Sequence, residues 1–267
     1  MRISANHAHV FPKQRRENGD VATLLKRMDL CGIEDCVTFA PFHAFFDHFT
    51  DSPNRWMAQE IQAEKRLIGF GVIDFDSDDI LGQLHEIEDL GFPGIKLHPA
   101  FQHFAVMDDK ARQVYEEAQK AKLFLSFHTG VHWDRIANYQ VLLFDEVAYH
   151  YPALRFSMEH IGGYSFFREA LAVLTNNGRD KAHPHVYGGL TSVFDKEKNR
   201  LWHLTQDEVM EAVLQAGDDA LLFGLDFPYN STEQTKTDIE SILALPIEQA
   251  SKEKLLGGNL RALLNIP

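Results

Sequence analysis

The sequence has few cysteines and no excess of positive charge, and each shortage excludes a class of protein. Cys31 and Cys36 are the only cysteines among 267 residues. They are too few for a disulfide framework or a cysteine zinc site, and we expect reduced packing residues. Lysine and arginine number 26 against 39 aspartate and glutamate residues, a net charge of −13. Because nucleic-acid binding needs a basic face, we expect no nucleic-acid partner.

Long apolar runs, phosphate-binding loops and linkers are also missing. The N-terminal segment MRISANHAHV lacks the apolar stretch of a signal peptide, and no run approaches the length of a membrane span. We therefore expect a cytoplasmic protein without a membrane partner. No GxGxxG or GxxxxGKS/T motif follows a strand pattern, which disfavours a doubly wound nucleotide-binding fold. No stretch rich in proline, glycine or serine divides the chain, so we predict a single domain over residues 1–267.

Short β-rich runs alternate with amphipathic helical patterns along the chain. We predict strands over residues 2–9, 35–41, 67–75, 94–98, 123–129, 155–161, 186–193 and 221–227. Intervening segments such as DDKARQVYEEAQKAK place apolar residues on one helical face. Strands that alternate with crossover helices form parallel sheets, and eight repeats of the unit favour closure. The sequence therefore predicts an α/β fold, a (β/α)8 barrel of the TIM type, with a doubly wound open sheet as the alternative.

Histidines and one aspartate fall at the C-terminal ends of the predicted strands. They are His7 and His9 at the first strand, His98 at the fourth, His128 at the fifth, His160 at the sixth and Asp226 at the eighth. A (β/α)8 barrel builds its active site at this rim, from the ends of several strands. Any one of these histidines alone fits a core residue that is hydrogen-bonded to the backbone. Their common position on one rim favours a shared ligand.

Strand alternation predicts which side chains of the first strand face the barrel interior. Residues two apart share a face, so one inward-facing row is expected: Ile3, Ala5, His7 and His9. The intervening Asn6 is expected to point outward. Two imidazoles of one row at a barrel mouth can both reach a single ion.

The same rule places His128, His160 and Asp226 inward, above a deeper layer of Ser126, Met158 and Gly224. A hydrophobic barrel rarely holds so many polar groups without a ligand that satisfies them. Three histidine nitrogens and one carboxylate suit a divalent metal ion. Zinc is the first expectation, with manganese or iron as alternatives.

These motifs resemble those of the amidohydrolase superfamily, more narrowly the amidohydrolase-2 type of metal-dependent barrel hydrolases and decarboxylases. The matching pieces span nearly the whole chain. In order, they are HAH at 7–9, GFPGIKLHP at 91–99, HTG at 128–130, HIGG at 160–163, GLDFPY at 224–229 and KLLGGNLRALL at 254–264. Each piece is short, but the set in this order and spacing is specific.

The resemblance implies a metal centre with four ligands: His7, His9, His128 and Asp226. It also implies that Asp226 and His160 are catalytic, with His160 as a general acid or base, a polariser of the substrate or a further ligand. One position departs from the family pattern. The family commonly has an aspartate two residues before the first histidine, and this chain has Ala5 there. The help that such an aspartate could give to metal binding is therefore missing.

Four residues near the strand ends are predicted to contact a small-molecule substrate: Lys96, His98, Trp133 and Tyr229. Lys96 is expected to point inward, where it could neutralise a carboxylate or bind substrate. In some branches of the superfamily a carboxylated lysine here bridges two metals, but the resemblance favours one ion. Trp133 and Tyr229 could equally cap the core. Residues 42–53 are rich in phenylalanine and could form a lid or meet a partner subunit of a homo-oligomer.

The residue set is compatible with two reactions and one non-catalytic alternative. Our first hypothesis is hydrolysis of a small amide, ester or lactone by a metal-activated water, with Asp226 as the base. The alternative is non-oxidative decarboxylation of an unsaturated or aromatic carboxylic acid, for which Lys96 and Arg135 are candidate carboxylate-binding cations. A third interpretation is a barrel that binds metal without turnover, and Ala5 is the only sequence feature in its favour.

Overall fold

Eight parallel strands close into a barrel in the computed structural model, which describes residues 1–46, 51–178 and 185–267. Each strand pairs with the next in the chain, and the last pairs with the first. The strands are β1 (Ile3–His9), β2 (Ile33–Phe39), β3 (Leu67–Val72), β4 (Gly94–Leu97), β5 (Phe124–His128), β6 (Arg155–Glu159), β7 (Val186–Thr191) and β8 (Leu221–Phe227). The predicted (β/α)8 barrel is confirmed.

Helices follow the strands and pack around the barrel. They are α1 (Val21–Cys31), α2 (Pro53–Ile61), α3 (Ile80–Asp89), α4 (Asp109–Ala121), α5 (Leu143–His150), α6 (Gly163–Asn177), α7 (Gln206–Ala216), α8 (Thr232–Ala244), α9 (Gln249–Glu253) and α10 (Asn259–Leu264). Several begin at a capping side chain, as Asp20 accepts from the Thr23 amide and Asp108 from the Ala111 amide. Within the described ranges, no helix has both the length and the apolar character needed to cross a bilayer.

Six strands end one to three residues earlier than predicted, and for two of them, β3 and β6, the structure shows a local reason. The third strand stops at Val72, because the side chain of Asn54 takes both the N–H and the C=O of that residue, at 2.8 and 3.1 Å. The sixth strand stops at Glu159, because His160 has a left-handed backbone with φ 64° and turns the chain out of the strand. His160 therefore lies beyond the strand rather than within it.

The lower part of the barrel interior is apolar and closed by the C-terminal helix. Strand residues there form one cluster with Leu260 and Leu263 of α10: Val37, Phe39, Phe70, Phe124, Tyr187 and Leu222. Arg261 of α10 donates to the Ser4 hydroxyl and to the backbone oxygen of Arg2 on the β1 side. The polar residues of the interior lie above this layer, towards the C-terminal rim.

Strand β1 does not alternate as predicted. Its pairing register shifts after Ala5, which marks a β-bulge, and His7 has a left-handed φ of 71°. Asn6 donates across the interior to Glu159 of β6, a strand that does not neighbour β1. Ile3 and Ala5 instead pack in the apolar cluster that includes the helices. The predictions that Ile3 and Ala5 face inward and Asn6 outward were wrong, because a bulge adds one residue to the period-two pattern.

Candidate metal centre

Two histidines of β1 and one aspartate of β8 converge at the C-terminal rim. The Nε2 atoms of His7 and His9 lie 3.2 Å apart. They lie 3.5 Å and 3.9 Å, respectively, from Oδ1 of Asp226. All three side chains are buried, and their candidate ligand atoms lie within 4.8 Å of one another. One ion could bridge atoms at this spacing.

Left-handed backbone conformations recur among the residues of the site. His7, His160 and Asp226 have φ values of 71°, 64° and 50°. Such values are uncommon outside glycine, and their concentration at one rim places backbone strain where the polar side chains meet. Gly224 accommodates this packing, since a Cβ there would lie 3.0 Å from the His7 Cβ and 2.2 Å from the Thr191 hydroxyl oxygen.

The Asp226 carboxylate is held from behind by a short polar chain. The Ser192 hydroxyl donates to Oδ2 of Asp226 at 2.7 Å, and Asn230 Nδ2 donates to the Ser192 oxygen at 3.1 Å. This leaves Oδ1 directed at the two histidines of β1. Burial raises the pKa of Asp226 to about 6, and the Ser192 hydrogen bond offsets only part of that rise.

His128 and His98 face this group from β5 and the end of β4. Their rings stack at 3.8 Å between centroids with 10° between planes. The Nε2 of His128 is buried and has no hydrogen-bond partner in the part of the chain that the structure describes. Nδ1 of His98 accepts the Phe101 amide at 3.3 Å, which assigns the ring proton to Nε2.

His160 is anchored differently, through the backbone of β7. Its Nδ1 lies 2.6 Å from the carbonyl oxygen of Thr191, which can only accept, so Nδ1 carries the proton and Nε2 has a free lone pair. The ring stacks on Trp202 at 4.9 Å. Burial lowers the pKa of His160 to about 4, although the Thr191 hydrogen bond acts in the opposite direction. The ring is therefore neutral at physiological pH.

The donor set fits a divalent metal ion. Burial lowers the pKa of His7, His9 and His128 well below the usual value, with neighbouring cationic groups as a smaller cause. Neutral imidazole is the form that binds metals. The unpartnered Nε2 of His128 is the kind of buried polar atom that a ligand would satisfy. Three of the four predicted metal-binding residues, His7, His9 and Asp226, form one group of close ligand atoms. His128 is not part of that group, but it lines the same cavity.

Glu159 of β6 is the polar residue of this region that the sequence interpretation missed. It is fully buried and accepts hydrogen bonds from Asn6 at 2.7 Å and from the Thr191 hydroxyl at 2.9 Å. We expected Met158 to point inward, but it packs in the outer apolar cluster, because β6 ends before His160 and the inward positions are Ser157 and Glu159. An acidic residue inside an apolar strand was the available signal, since buried carboxylates need partners.

The predicted substrate-binding residues divide into two groups. His98, Trp133 and Tyr229 line a cavity of about 310 Å³. The same cavity is lined by the other polar residues of the rim: His7, His9, His128, His160 and Asp226. Trp133 is 81% exposed and Tyr229 52% exposed, so neither caps the core. Lys96 is inward-facing as predicted, but it is fully buried and does not line the cavity. Its Nζ lies 4.9 Å from the Phe39 ring centroid, and burial lowers its pKa to about 8.

Aromatic side chains form much of the cavity wall. Phe42 and Phe45 come from the predicted lid segment, and Phe101 and Trp202 were not predicted. The lid prediction itself is only partly covered, because residues 47–50 lie outside the described ranges. No lysine or arginine occurs among the described residues that line the cavity.

Comparison with known proteins assigns the family. The Amidohydrolase family matches residues 37–266, most of the chain. The chain belongs to the amidohydrolase family. This confirms the resemblance, and the family includes metal-dependent hydrolases and decarboxylases. The matched range begins after β1, so the roles of His7 and His9 rest on the geometry above rather than on the match. No curated protein sequence matches the chain.

Solved structures share the fold over nearly the full length. An uncharacterized TIM-barrel protein from Bordetella bronchiseptica is 19% identical, with 99% of both chains covered and a TM-score of 0.74. A dihydroxybenzoic acid decarboxylase from Polaromonas sp. JS666, with bound manganese and 2-nitroresorcinol, is 14% identical, with 99% and 97% covered and a TM-score of 0.73. A candidate 2-pyrone-4,6-dicarboxylic acid hydrolase from Pseudomonas putida is 20% identical, with 99% and 97% covered and a TM-score of 0.70. At these identities the likeness shows the fold alone.

Proposed function

We propose that this protein is a metal-dependent hydrolase of a small amide, ester or lactone. The main observation in its support is that the two carboxylate oxygens of Asp226 have different contacts. Its Oδ2 accepts from Ser192, whereas its Oδ1 faces the Nε2 atoms of His7 and His9. A divalent ion bound here would polarise a carbonyl group and lower the pKa of a water molecule. Four residues would hold the ion: His7, His9, His128 and Asp226. Zinc is the expected metal, and manganese or iron are the alternatives.

The charge balance of the barrel interior supports a bound cation. Two carboxylates, Glu159 and Asp226, are buried near the rim, and Lys96 is the buried ammonium group that attracts both. Arg16, which is only partly buried, attracts Asp226 from outside this interior. Two negative charges against one positive charge leave a deficit that a divalent ion would compensate. The neutral histidines add no positive charge of their own.

Asp226 is placed to act as the general base. We propose that Oδ1 takes a proton from the attacking water and delivers it to the leaving group. Because Ser192 holds the other oxygen, the carboxylate keeps its direction while the proton moves. A base fixed in this way gains from orientation as well as from its raised pKa.

His98 and His160 have opposite hydrogen-bonding capacity towards the cavity. Nδ1 of His160 donates to the carbonyl oxygen of Thr191, so the ring proton is on Nδ1 and Nε2 can accept but not donate. We therefore propose His160 as a proton acceptor or further ligand, rather than as a donor to the oxyanion. His98 has the proton on Nε2 and can donate to a developing negative charge on the substrate.

The cavity suits a small, flat substrate. Its volume of about 310 Å³ lies at the lower end of the range for small-molecule sites. The aromatic walls, including Phe42, Phe101 and Trp202, would stack on a planar ring, while the polar rim residues contact the reacting group. A lactone or an ester of an unsaturated ring acid combines these features.

Decarboxylation is the second candidate, and one cation favours it. Lys96 and Arg135 were the predicted carboxylate-binding cations, but Lys96 is buried beside Phe39 and Arg135 is exposed outside the cavity lining. The guanidinium of Arg16, however, lies 4.5 Å from the ring centroid of Tyr229, a lining residue, although Arg16 itself is not part of the lining. An arginine there could bind a substrate carboxylate.

A paired substrate screen would separate the two reactions. The zinc-loaded and the manganese-loaded protein would be incubated with small aryl esters, amides and lactones, and separately with hydroxybenzoic and unsaturated carboxylic acids. We expect acid release from the first group, measured with a pH indicator, and its loss in Asp226→Asn. Release of CO₂ from the second group without hydrolysis of the first would replace the hydrolase proposal with the decarboxylase.

A further inference from the structure

Glu159 reaches His7 from the opposite side of the barrel. Its Oε2 lies 3.1 Å from Nδ1 of His7, and both side chains are buried. Glu159 belongs to β6 and His7 to β1, so the contact crosses the interior rather than joining neighbouring strands. The ring N–H is not aligned for a hydrogen bond, so the contact is electrostatic. It lies on the ring edge remote from His9 and Asp226, which face Nε2 of the same ring.

The barrel is built around this carboxylate. Asn6 Nδ2 and the Ser126 hydroxyl donate to Oε1 at 2.7 and 3.3 Å, and the Thr191 hydroxyl donates to Oε2 at 2.9 Å. Gly189 leaves room for it, because a Cβ at that position would lie 2.1 Å from Oε2. The Ser157 hydroxyl of β6 also donates to Oε1. Donors from four strands, together with this space, hold the carboxylate in one place.

The β1 bulge is what brings His7 into reach. The bulge turns both Asn6 and His7 inward, so that one contacts Oε1 and the other Oε2 of Glu159. Ala5, the position where the family commonly has aspartate, faces the outer apolar cluster instead. A side chain there would point away from the imidazole that it was expected to assist.

We propose that Glu159 is a positioning residue that fixes the orientation and tautomer of His7, in place of the aspartate that is missing at Ala5. A carboxylate beside Nδ1 favours the tautomer with the proton on Nδ1, which leaves the Nε2 lone pair for an ion. This inference rests on the proposed metal site. It goes beyond that site, because it assigns a function to a residue that would neither bind the ion nor touch the substrate.

Metal affinity of Glu159→Gln tests the inference independently of any substrate. Affinities for Zn²⁺ and Co²⁺ would be measured by competition with a chromophoric chelator, and the visible spectrum of the Co²⁺ form would report ligand geometry. We expect affinity to fall by about 10- to 100-fold, the usual effect of losing a group that orients a ligand, together with a changed Co²⁺ spectrum. Ser126→Ala is the matched control, since it removes a donor to the same carboxylate without touching His7. It should stay within about threefold of wild type, as expected for one neutral hydrogen bond.

A double-mutant cycle separates action through His7 from a general effect of charge. In the His7→Ala background, Glu159→Gln should change affinity by less than about threefold, because no ring remains to be oriented. Wild-type affinity in folded Glu159→Gln, or an undiminished effect without His7, would overturn the inference. Should Glu159→Gln not fold, Gly189→Ala moves the carboxylate while keeping its charge, and wild-type affinity there would also overturn it. If the wild-type protein itself bound neither ion, the proposed function would fail first.

Discussion

The two halves of the candidate metal centre are held by different forces. On the β1–β8 side, Asp226 is hydrogen-bonded to Ser192 and His7 lies against the Glu159 carboxylate. On the β4–β5 side, the rings of His98 and His128 stack on each other. Nδ1 of His98 accepts from the Phe101 amide, but Nε2 of His128 has no hydrogen-bond partner among the described residues. Polar contacts fix both the position and the direction of a ligand atom. Stacking alone fixes the plane of the His128 ring but leaves the direction of its nitrogen less constrained.

The β1–β8 side of the site is already arranged for an ion before one binds. The β1–β8 side already places three ligand atoms within 4.8 Å of one another, and it contains two of the three strained backbone positions. Strain of that kind persists only where surrounding contacts enforce it. We therefore expect the β1–β8 side to set affinity and chemistry, and the β4–β5 side to complete the coordination after binding.

Asp226→Asn should lower kcat more than any other substitution proposed here. The substitution keeps the shape of the side chain but removes the base and weakens a metal ligand, so kcat should fall on the order of 10²- to 10⁴-fold. Ser192→Ala is the control for position alone and should cost no more than about tenfold, the usual scale of one hydrogen bond. Turnover with the substrate found by screening measures both. An Asp226→Asn enzyme with a third of wild-type kcat would refute the assigned role.

The buried carboxyl of Asp238 should make stability depend on pH. Asp238 of α8 is fully buried, and neither of its oxygens has a hydrogen-bond partner in the described part of the chain. Burial, with Asp195 and Asp226 as smaller causes, raises the pKa of Asp238 to about 7, against about 3.9 unfolded. The folded state therefore keeps a proton that the unfolded state releases. This contribution is complete below pH 4 and is lost as pH rises through 7.

Asp238→Asn should consequently stabilise the protein at pH 8 and have little effect at pH 4. The upper limit is about 4 kcal/mol, from a pKa difference of about 3 at 1.36 kcal/mol each. Urea unfolding at the two pH values would measure it. Equal changes at both values would show that folding does not raise the pKa of Asp238.

His160→Ala should lower kcat/KM by about 10²-fold, the scale of a positioned acid or base. His160 stands between the two sides, since its ring contacts both His7 at 5.4 Å and His128 at 4.8 Å. Because His160 is proposed to accept a proton at Nε2, its removal should lower turnover more than metal content. Loss of the metal in this variant would instead make His160 a ligand and enlarge the set on the β4–β5 side.

Substitution of His98, whose ring stacks on His128, should change metal affinity least. His98→Ala removes the ring that packs on His128, and His98→Phe retains a ring. Stacking contributes about 0.5–1.5 kcal/mol, so metal affinity should fall about two- to tenfold in His98→Ala and remain near wild type in His98→Phe. A chelator competition assay would measure both variants. A loss as large as that expected for Glu159→Gln would remove the distinction between the two sides.

Much of this architecture could be predicted from the sequence, because it depends on periodic patterns. Alternating strand and helix patterns predict the barrel, and the strand ends predict that His7, His9, His128 and Asp226 share one rim. Their side chains do share a cavity. The ligand roles themselves stay predictions.

The parts that were missed depend on local irregularity. The β1 bulge leaves no trace in the apolar pattern, so the directions of Ala5 and Asn6 were wrong. Glu159 was missed because the end of β6 at that residue follows from one left-handed position, His160, rather than from periodicity. Contacts such as that of Glu159 with His7 join residues more than 150 positions apart, and a single sequence carries no signal for them.

Elemental mass spectrometry would show whether the purified protein contains a bound divalent metal ion. The tag-free protein would be purified without chelator, and His9→Ala would serve as the control. We expect about one equivalent of a divalent metal in the wild type, with zinc first, and much less in His9→Ala, because one of four ligands is removed. No metal in the wild type, and no uptake when zinc or manganese is added, would contradict the account and favour a barrel without metal-dependent catalysis.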